Sequence, residues 1–393
     1  MLVVTSNWAI GDGSLVRGSR GWQGMLPATI HRAALRAGFR RDGTYHAIDG
    51  IDLVLAGDTF DWLVSAEWRG SARPWHGTVA ARIAADRVAG RSVRAARAVL
   101  GPLVRWSRRG LAVPASGPRG RPGRENVIVP VRLTLLAGDR DAALADVAGR
   151  GGRRSFGIGD AWDDGKLSIR HGHDLDPTCS ATGRPRGSAG RAPTLAESVA
   201  VDLVAAFAEV VARQESPTVM PLLRAVAAAG PVAIPGAIAG WTATVARDAG
   251  FSAAAIEPLA SAWRRCVDRW LAAAQRDVPS CEVEFDAVQA LAGWFDAAFQ
   301  MPDDAPAAPA GIRRLLPRLA GVSEGSVTCH LGLGGDPHGI EASTPAWAMV
   351  AGRGADGRLW WEPLGPDRDR AAVIAIDVAD RRDARGGRFV DAA

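Results

Sequence analysis

Three places in this 393-residue sequence end an apolar run in side chains able to ligate a cation. They read LVLAGDTFD at 53–61, LTLLAGDRD at 133–141 and LSIRHGH at 167–173. Each puts aspartate or histidine just past a strand-like stretch, and the C-terminal edge of a sheet is where strands deliver side chains into a shared crevice. The pattern predicts Asp58 on a strand end as a metal ligand, with the preceding glycine letting the backbone turn beneath it.

In order and spacing these stretches resemble the motifs of the calcineurin-like metallophosphoesterases. That family carries Asp-x-His, Gly-Asp-x-x-Asp, Gly-Asn-His-Asp or Gly-Asn-Arg-Asp, a lone His-Gly, and Gly-His-x-His. The matching stretches are TSNWAIGDG at 5–13, GDTFD at 57–61, GDRD at 138–141, HGHDLDP at 171–177 and CHLG at 329–332. The resemblance spans the chain apart from a helical insertion. It implies an α/β fold, a four-layer α/β/β/α sandwich of two mixed sheets with an inserted α-helical cap. The core then occupies residues 1–177 and 319–393, and the cap 178–318.

The family uses two metals bridged by one aspartate to clamp phosphate oxygens and activate a water for in-line attack. Carried over residue by residue, the bridge falls on Asp58. One site keeps Asp58, Asp139 in place of the family's asparagine, His171 and His330, an oxygen and nitrogen set that suits Mn²⁺, Fe²⁺ or Zn²⁺. The positions of the other fall on Asn7, Ala9, Asp58 and Gly332, which leaves it short of donors. One divalent ion is therefore expected. The amide oxygen of Asn7 and the imidazole of His338 are the available substitutes, and His173 is the alternative to His171.

Arg140 stands where the family usually has a histidine that helps the leaving group. Its planar fork can hold a phosphate and offset charge, although it cannot act as a general acid. Asp141, beside it, and Asp61 are read as groups that orient the ligands or bind backbone amides. The arginine variant occurs in bacterial UDP-2,3-diacylglucosamine hydrolases, so the expected substrates are phosphorylated small molecules and nucleotide- or lipid-linked pyrophosphates. The rival expectation is a catalytically degenerate fold kept as a binding or regulatory scaffold, engaging a protein partner through the crevice or the cap.

The elements that must position these residues follow from periodicity. Strands are predicted at Leu2 to Thr5, Ile51 to Ala56, Val127 to Ala137 and Lys166 to Arg170, alternating with helices at Pro27 to Ala37 and between Thr78 and Arg109. The stretch PASGPRGRPGREN from Pro114 to Asn126 reads as a mobile loop. Thr194 and Glu197 form a capping-box signature ahead of a stripe of Leu195, Val199, Leu203, Phe207 and Val211. Two further stripes, Trp263, Val267, Trp270 and Leu271, then Phe285, Val288, Leu291, Phe295 and Phe299, read as helix packing. Strand patterns return in GSVTCHLGLGG, AWAMVAG, RLWWEPL and AAVIAIDV.

Composition narrows the class. An apolar content of 47 % supports a sizeable core. The net charge of +5 is carried by arginine, with Lys166 the only lysine, and no basic run is interleaved with aromatics as in a nucleic-acid module. Cys179, Cys266, Cys281 and Cys329 form no Cys-x-x-Cys pair, so neither a thiolate zinc site nor a disulfide framework is expected. The N-terminus MLVVTSNW lacks a charged leader, and Ala225 to Trp241 is too short and too rich in Pro, Ala and Gly to span a bilayer. A cytoplasmic location is the expectation.

Overall fold

The computed structural model describes residues 1–5, 8–15, 21–40, 42–68, 70, 72–142, 156–163, 168–171, 191–213, 253–277, 289 and 292–293. It also describes the backbone of four strands within 324–363. The fold is α/β around a parallel sheet. Strands β1 (Leu2–Thr5), β2 (Ile51–Ala56), β5 (Val131–Leu136) and β6 (Gly157–Gly159) lie side by side in the order β1-β2-β5-β6, every neighbouring pair parallel. The Val and Leu runs of β1 and β2 are buried almost throughout, as expected of parallel strands covered on both faces.

Alternation sorts the side chains. Val3, Leu53, Leu55, Leu133 and Leu135 join one core cluster with Leu26, Ile30, Ala33 and Ala34 of α1 (Gly21–Ala37) and Val88, Ala96, Val99 and Leu103 of α2 (Val79–Arg109). Helix α1 starts six residues before Pro27, the expected first residue. The ring removes one backbone donor, but Leu26 and Ile30 are fully buried on either side of it. Helix α2 begins with Thr78 accepting from the Ala81 amide and ends at Gly110, whose φ of 77° is the left-handed value that favours glycine.

Between α2 and β5 the expected loop is instead a hairpin of β3 (Leu111–Ser116) and β4 (Pro122–Val129), closed by a 3₁₀ turn at Pro118–Gly120. Pro and Gly predict a loop there because local sequence hides the tertiary clamp. Tyr45 donates its hydroxyl to the Pro114 carbonyl at 2.9 Å and its amide to the Gly120 carbonyl at 2.7 Å. Pro130 separates β4 from β5, so the single strand expected over Val127 to Ala137 is two.

A second sheet is antiparallel, in the order β10-β9-β8-β7, from β7 (Ala161–Asp163), β8 (Ser168–Arg170), β9 (Glu324–Leu333) and β10 (Asp336–Pro345). Strands β11 (Met349–Arg353) and β12 (Leu359–Pro363) form a separate pair beside β1. The stretches AAVIAIDV and Phe285 to Phe299 lie outside the described residues, apart from isolated helical positions.

The helical segment opens as predicted. Thr194 and Glu197 exchange both capping-box bonds at the start of α3 (Leu195–Ser198). The chain continues through a π-helical stretch, Val199–Ala205, into α4 (Ala206–Arg213). Helix α5 (Ala253–Asp277) packs against it, with Trp263 and Trp270 fully buried, Phe207 edge-on to Trp263 at 5.0 Å, and the Trp270 indole donating to Ser198 Oγ at 2.7 Å. Ala200 and Val201 reach the main core, and Arg73 bonds Asp202 at 2.7 Å while also holding the carbonyls of Trp68, Gly70 and Ala72. Among the described residues no helix is long and apolar enough to cross a membrane.

Candidate metal centre

The three corners foreseen in the sequence meet at the C-terminal edge of the parallel sheet. After β2 the chain turns through Gly57 at φ 87° and then Asp58 at φ 49°. A non-glycine residue in the left-handed region costs about 1–2 kcal/mol and persists where the surroundings hold it. Three contacts hold Asp58 in place. Its carbonyl accepts from the Ala9 amide at 2.8 Å, its Oδ1 accepts from the Arg140 amide at 2.9 Å, and it packs against Gly138. Ala9 is itself left-handed at φ 46°.

Two glycines make this convergence possible. A Cβ on Gly57 would run into the ring of His171, and a Cβ on Gly138 would run into the carboxylate and amide of Asp58. Each corner thus leaves open the space that the next one fills.

The second corner is held by Asp141. It is completely buried and accepts from the Gly138 amide at 2.7 Å and the Phe60 amide at 3.1 Å. With both oxygens on backbone donors, Asp141 binds backbone amides and orients the corner. Burial, then the charge of Asp58, pushes its carboxyl up to about 7. Asp61 accepts from the Leu63 and Val64 amides at 3.2 Å each and from Arg140 Nη1 at 2.6 Å. Arg140 also brings Nε to 3.9 Å from Asp58 Oδ2. Burial works against its charge, but Asp61, Asp58 and Asp139 outweigh that and raise its pKa above the usual arginine value.

His171 completes the group. Its Nε2 lies 3.6 Å from Asp58 Oδ2 and its Nδ1 3.6 Å from Asp139 Oδ1, both too long for hydrogen bonds. One donor atom from each of Asp58, Asp139 and His171 falls within 4.8 Å of the others. Two donors bound to one Zn²⁺-sized ion at about 2.1 Å stand roughly 3.4 Å apart, so 3.6 Å is ligand spacing for the one carboxylate that meets the coordinating nitrogen, and the third donor lies within 4.8 Å. Charge agrees with geometry. Burial and then the neighbouring Asp139 raise the Asp58 carboxyl well above the ordinary carboxylate value, a repulsion that a cation between them relieves. The donors present therefore fit a divalent ion.

The other expected ligands are not among the described side chains. Ala9 sits beside Asp58 with a methyl group and no donor. His330 lies on β9 in register with Ser168, and His338 on β10 in register with Leu331. The side chains of both, and all of Asn7 and His173, lie outside the described residues.

One polar hub was not anticipated. Asp12 is buried and accepts from the Ser14 amide and hydroxyl, the Ser65 hydroxyl at 2.8 Å, and Arg91 Nε and Nη2 at 3.1 and 2.7 Å. Arg91 reaches on to Glu67 at 2.8 Å. The hub ties α2 to the two loops that flank Asp58 and Asp61. Its only sequence signal is the Gly-Asp-Gly at 11–13, and the arginine that answers it stands 79 residues away.

Compared with protein-family models, with curated proteins and with solved structures, the chain matches none of them.

Proposed function

We propose that this protein is a metal-dependent hydrolase of phosphoester or pyrophosphate bonds, built on the two-sheet, four-layer scaffold of the calcineurin-like phosphoesterases with a helical cap. One observation carries the reading: Asp58, Asp139 and His171, from three distant corners, bring one donor each within 4.8 Å at the edge of a parallel sheet. A parallel sheet accompanied by an antiparallel one is in keeping with the scaffold.

In this reading Asp58, Asp139 and His171 hold the ion. The register sets His330 beside Ser168, three strand residues or roughly 10 Å back from His171, so the three-residue set carries the argument. A bound divalent ion supplies Lewis-acid polarisation of a phosphoryl oxygen and a lowered pKa for water. The chain's own groups do the rest. Arg140 fixes Asp61 and adds positive charge next to Asp58, and Asp141 holds the Gly138 and Phe60 amides so that Asp58 and Asp139 keep their spacing.

A second reading has its own observation. Ala9, whose amide bonds the Asp58 carbonyl, has no side-chain ligand atom, so the ligand set is one-sided, as in a scaffold that retains an ion without turnover. Metal analysis of the purified protein, calorimetric titration with Mn²⁺ and a bis(p-nitrophenyl) phosphate assay separate the two, with Asp58→Ala as the control. One bound equivalent with Asp58-dependent hydrolysis supports the enzyme. One equivalent without hydrolysis supports the scaffold. No bound metal in either protein refutes both.

A further inference from the structure

The β3–β4 hairpin stands apart from the metal centre. It precedes β5, whereas Asp139 follows β5, so six strand residues or about 20 Å of sheet separate hairpin and ion site. Strand β4 pairs only with β3 among the described residues. A strand packed on a core alternates buried and exposed positions, yet residues 124–128 are all exposed. Strand β3 packs on the core through Leu111 and Val113, while β4 has both faces in solvent from Arg124 to Ile128.

The arm is anchored. Tyr45 is 1 % exposed between it and the 39–47 loop, Ser116 Oγ accepts from the Ala47 amide at 3.0 Å, and Gly120 packs so closely on Thr44 that a Cβ would clash. What it presents is unusual for a solvated arm. Ile128 is 60 % exposed and Val127 40 %, and Phe39, packed edge-on against Tyr45, is 46 % exposed beside it. Ile128, Asn126, Arg124 and Pro122 alternate onto one face of β4, and Arg119 and Arg121 are exposed at the tip. The hairpin carries Arg119, Arg121 and Arg124 against the single Glu125, and Arg105, Arg108 and Arg109 at the end of α2 precede it.

We propose that this arm docks the protein on an anionic lipid surface, with Arg119, Arg121 and Arg124 against the headgroups and Ile128, Val127 and Phe39 entering the interface. Basic groups give attraction to negatively charged lipid, and exposed aliphatic side chains add burial that water-filled nucleic-acid grooves do not reward. Phe39, Asn126 and the arginines would serve a nucleic acid as well, but the exposed Ile128 and Val127 gain nothing from stacking or hydrogen bonding and favour the lipid. Docking at this end leaves the Asp58 edge facing away from the membrane, so the inference is independent of the proposed chemistry.

The test is co-pelleting of the full chain with vesicles of phosphatidylcholine alone and of phosphatidylcholine with about one-third phosphatidylglycerol. The chain pellets with the anionic vesicles, not the neutral ones, and less at high salt. The triple variant Arg119→Gln, Arg121→Gln, Arg124→Gln lowers partitioning about a hundredfold. Ile128→Ser lowers it about tenfold, with unchanged melting temperature and Mn²⁺ binding. Failure to pellet with anionic vesicles overturns the proposal, as does equal pelleting by wild type and both variants. Arginine-dependent binding to a DNA or RNA oligonucleotide without vesicle binding overturns it in favour of nucleic acid. Ile128-dependent dimerisation in sedimentation, again without vesicle binding, overturns it in favour of a second copy on the β4 edge.

Discussion

Gly57→Ala isolates the interlock that assembles the metal centre. At φ 87° an alanine pays left-handed strain of about 1 kcal/mol, and its methyl meets the His171 ring. Forcing a methyl into packed surroundings adds about 2 kcal/mol, for a total loss of roughly 3 kcal/mol. Gly43→Ala is the matched control. It has nearly the same φ, 78°, but nothing stands within 4 Å of the added Cβ, so only the strain remains, about 1 kcal/mol. Urea unfolding in the presence of a chelator measures both. Calorimetry with Mn²⁺ then shows wild-type affinity for Gly43→Ala and at least a hundredfold loss for Gly57→Ala, because the displaced imidazole is one of three ligands. In a His171→Ala background the methyl finds room, and the cost of Gly57→Ala falls by about 2 kcal/mol. Gly57→Ala with intact Mn²⁺ affinity, or with the same cost whether or not His171 is present, would refute the packing argument and with it the ligand role of His171.

Three further substitutions probe the surroundings. Asp12→Ala destabilises by about 2 kcal/mol at neutral pH by removing the bonds from Arg91, Ser14 and Ser65, while Arg91 keeps Glu67. Although burial opposes it, bonds from Ser14, Ser65 and Arg91 hold the Asp12 carboxyl below its ordinary value. A depressed carboxylate contributes stability above its unfolded pKa, so the difference from wild type shrinks as pH falls below about 4, read from denaturation curves across pH. Thr194→Ala removes one side of the capping box and costs about 1 kcal/mol in thermal unfolding. Ala9→Gly relieves the left-handed backbone at φ 46° and raises stability by about 1 kcal/mol without changing Mn²⁺ affinity.

The parts of the fold written in local pattern were legible. Strands β1 and β2 fall where unbroken Val and Leu runs predict them, and the long α2 and the Thr194 cap follow from periodicity and side-chain chemistry. The corners at Asp58, Asp139 and His171 could be found because glycine and carboxylate after a strand leave few other uses. What sequence hid was contact between distant segments. The Pro114 to Asn126 stretch is a hairpin only because Tyr45 clasps it. The stripe from Leu195 to Phe207, spaced like an α-helix, contains a π-helical stretch where Asp202 meets Arg73 and Ala200 and Val201 turn to the main core. The bond from Arg140 to Asp61 likewise joins segments 79 residues apart.

Asp58 and Asp139 follow strands of the parallel sheet, but His171 follows β8 of the antiparallel one. A cation shared by the three is thus a clip across two separately hydrogen-bonded layers. Adding Mn²⁺ should slow amide hydrogen exchange in β8 more than in β2, since it is the seating of the short outer strand, not the buried inner one, that the ion would lock.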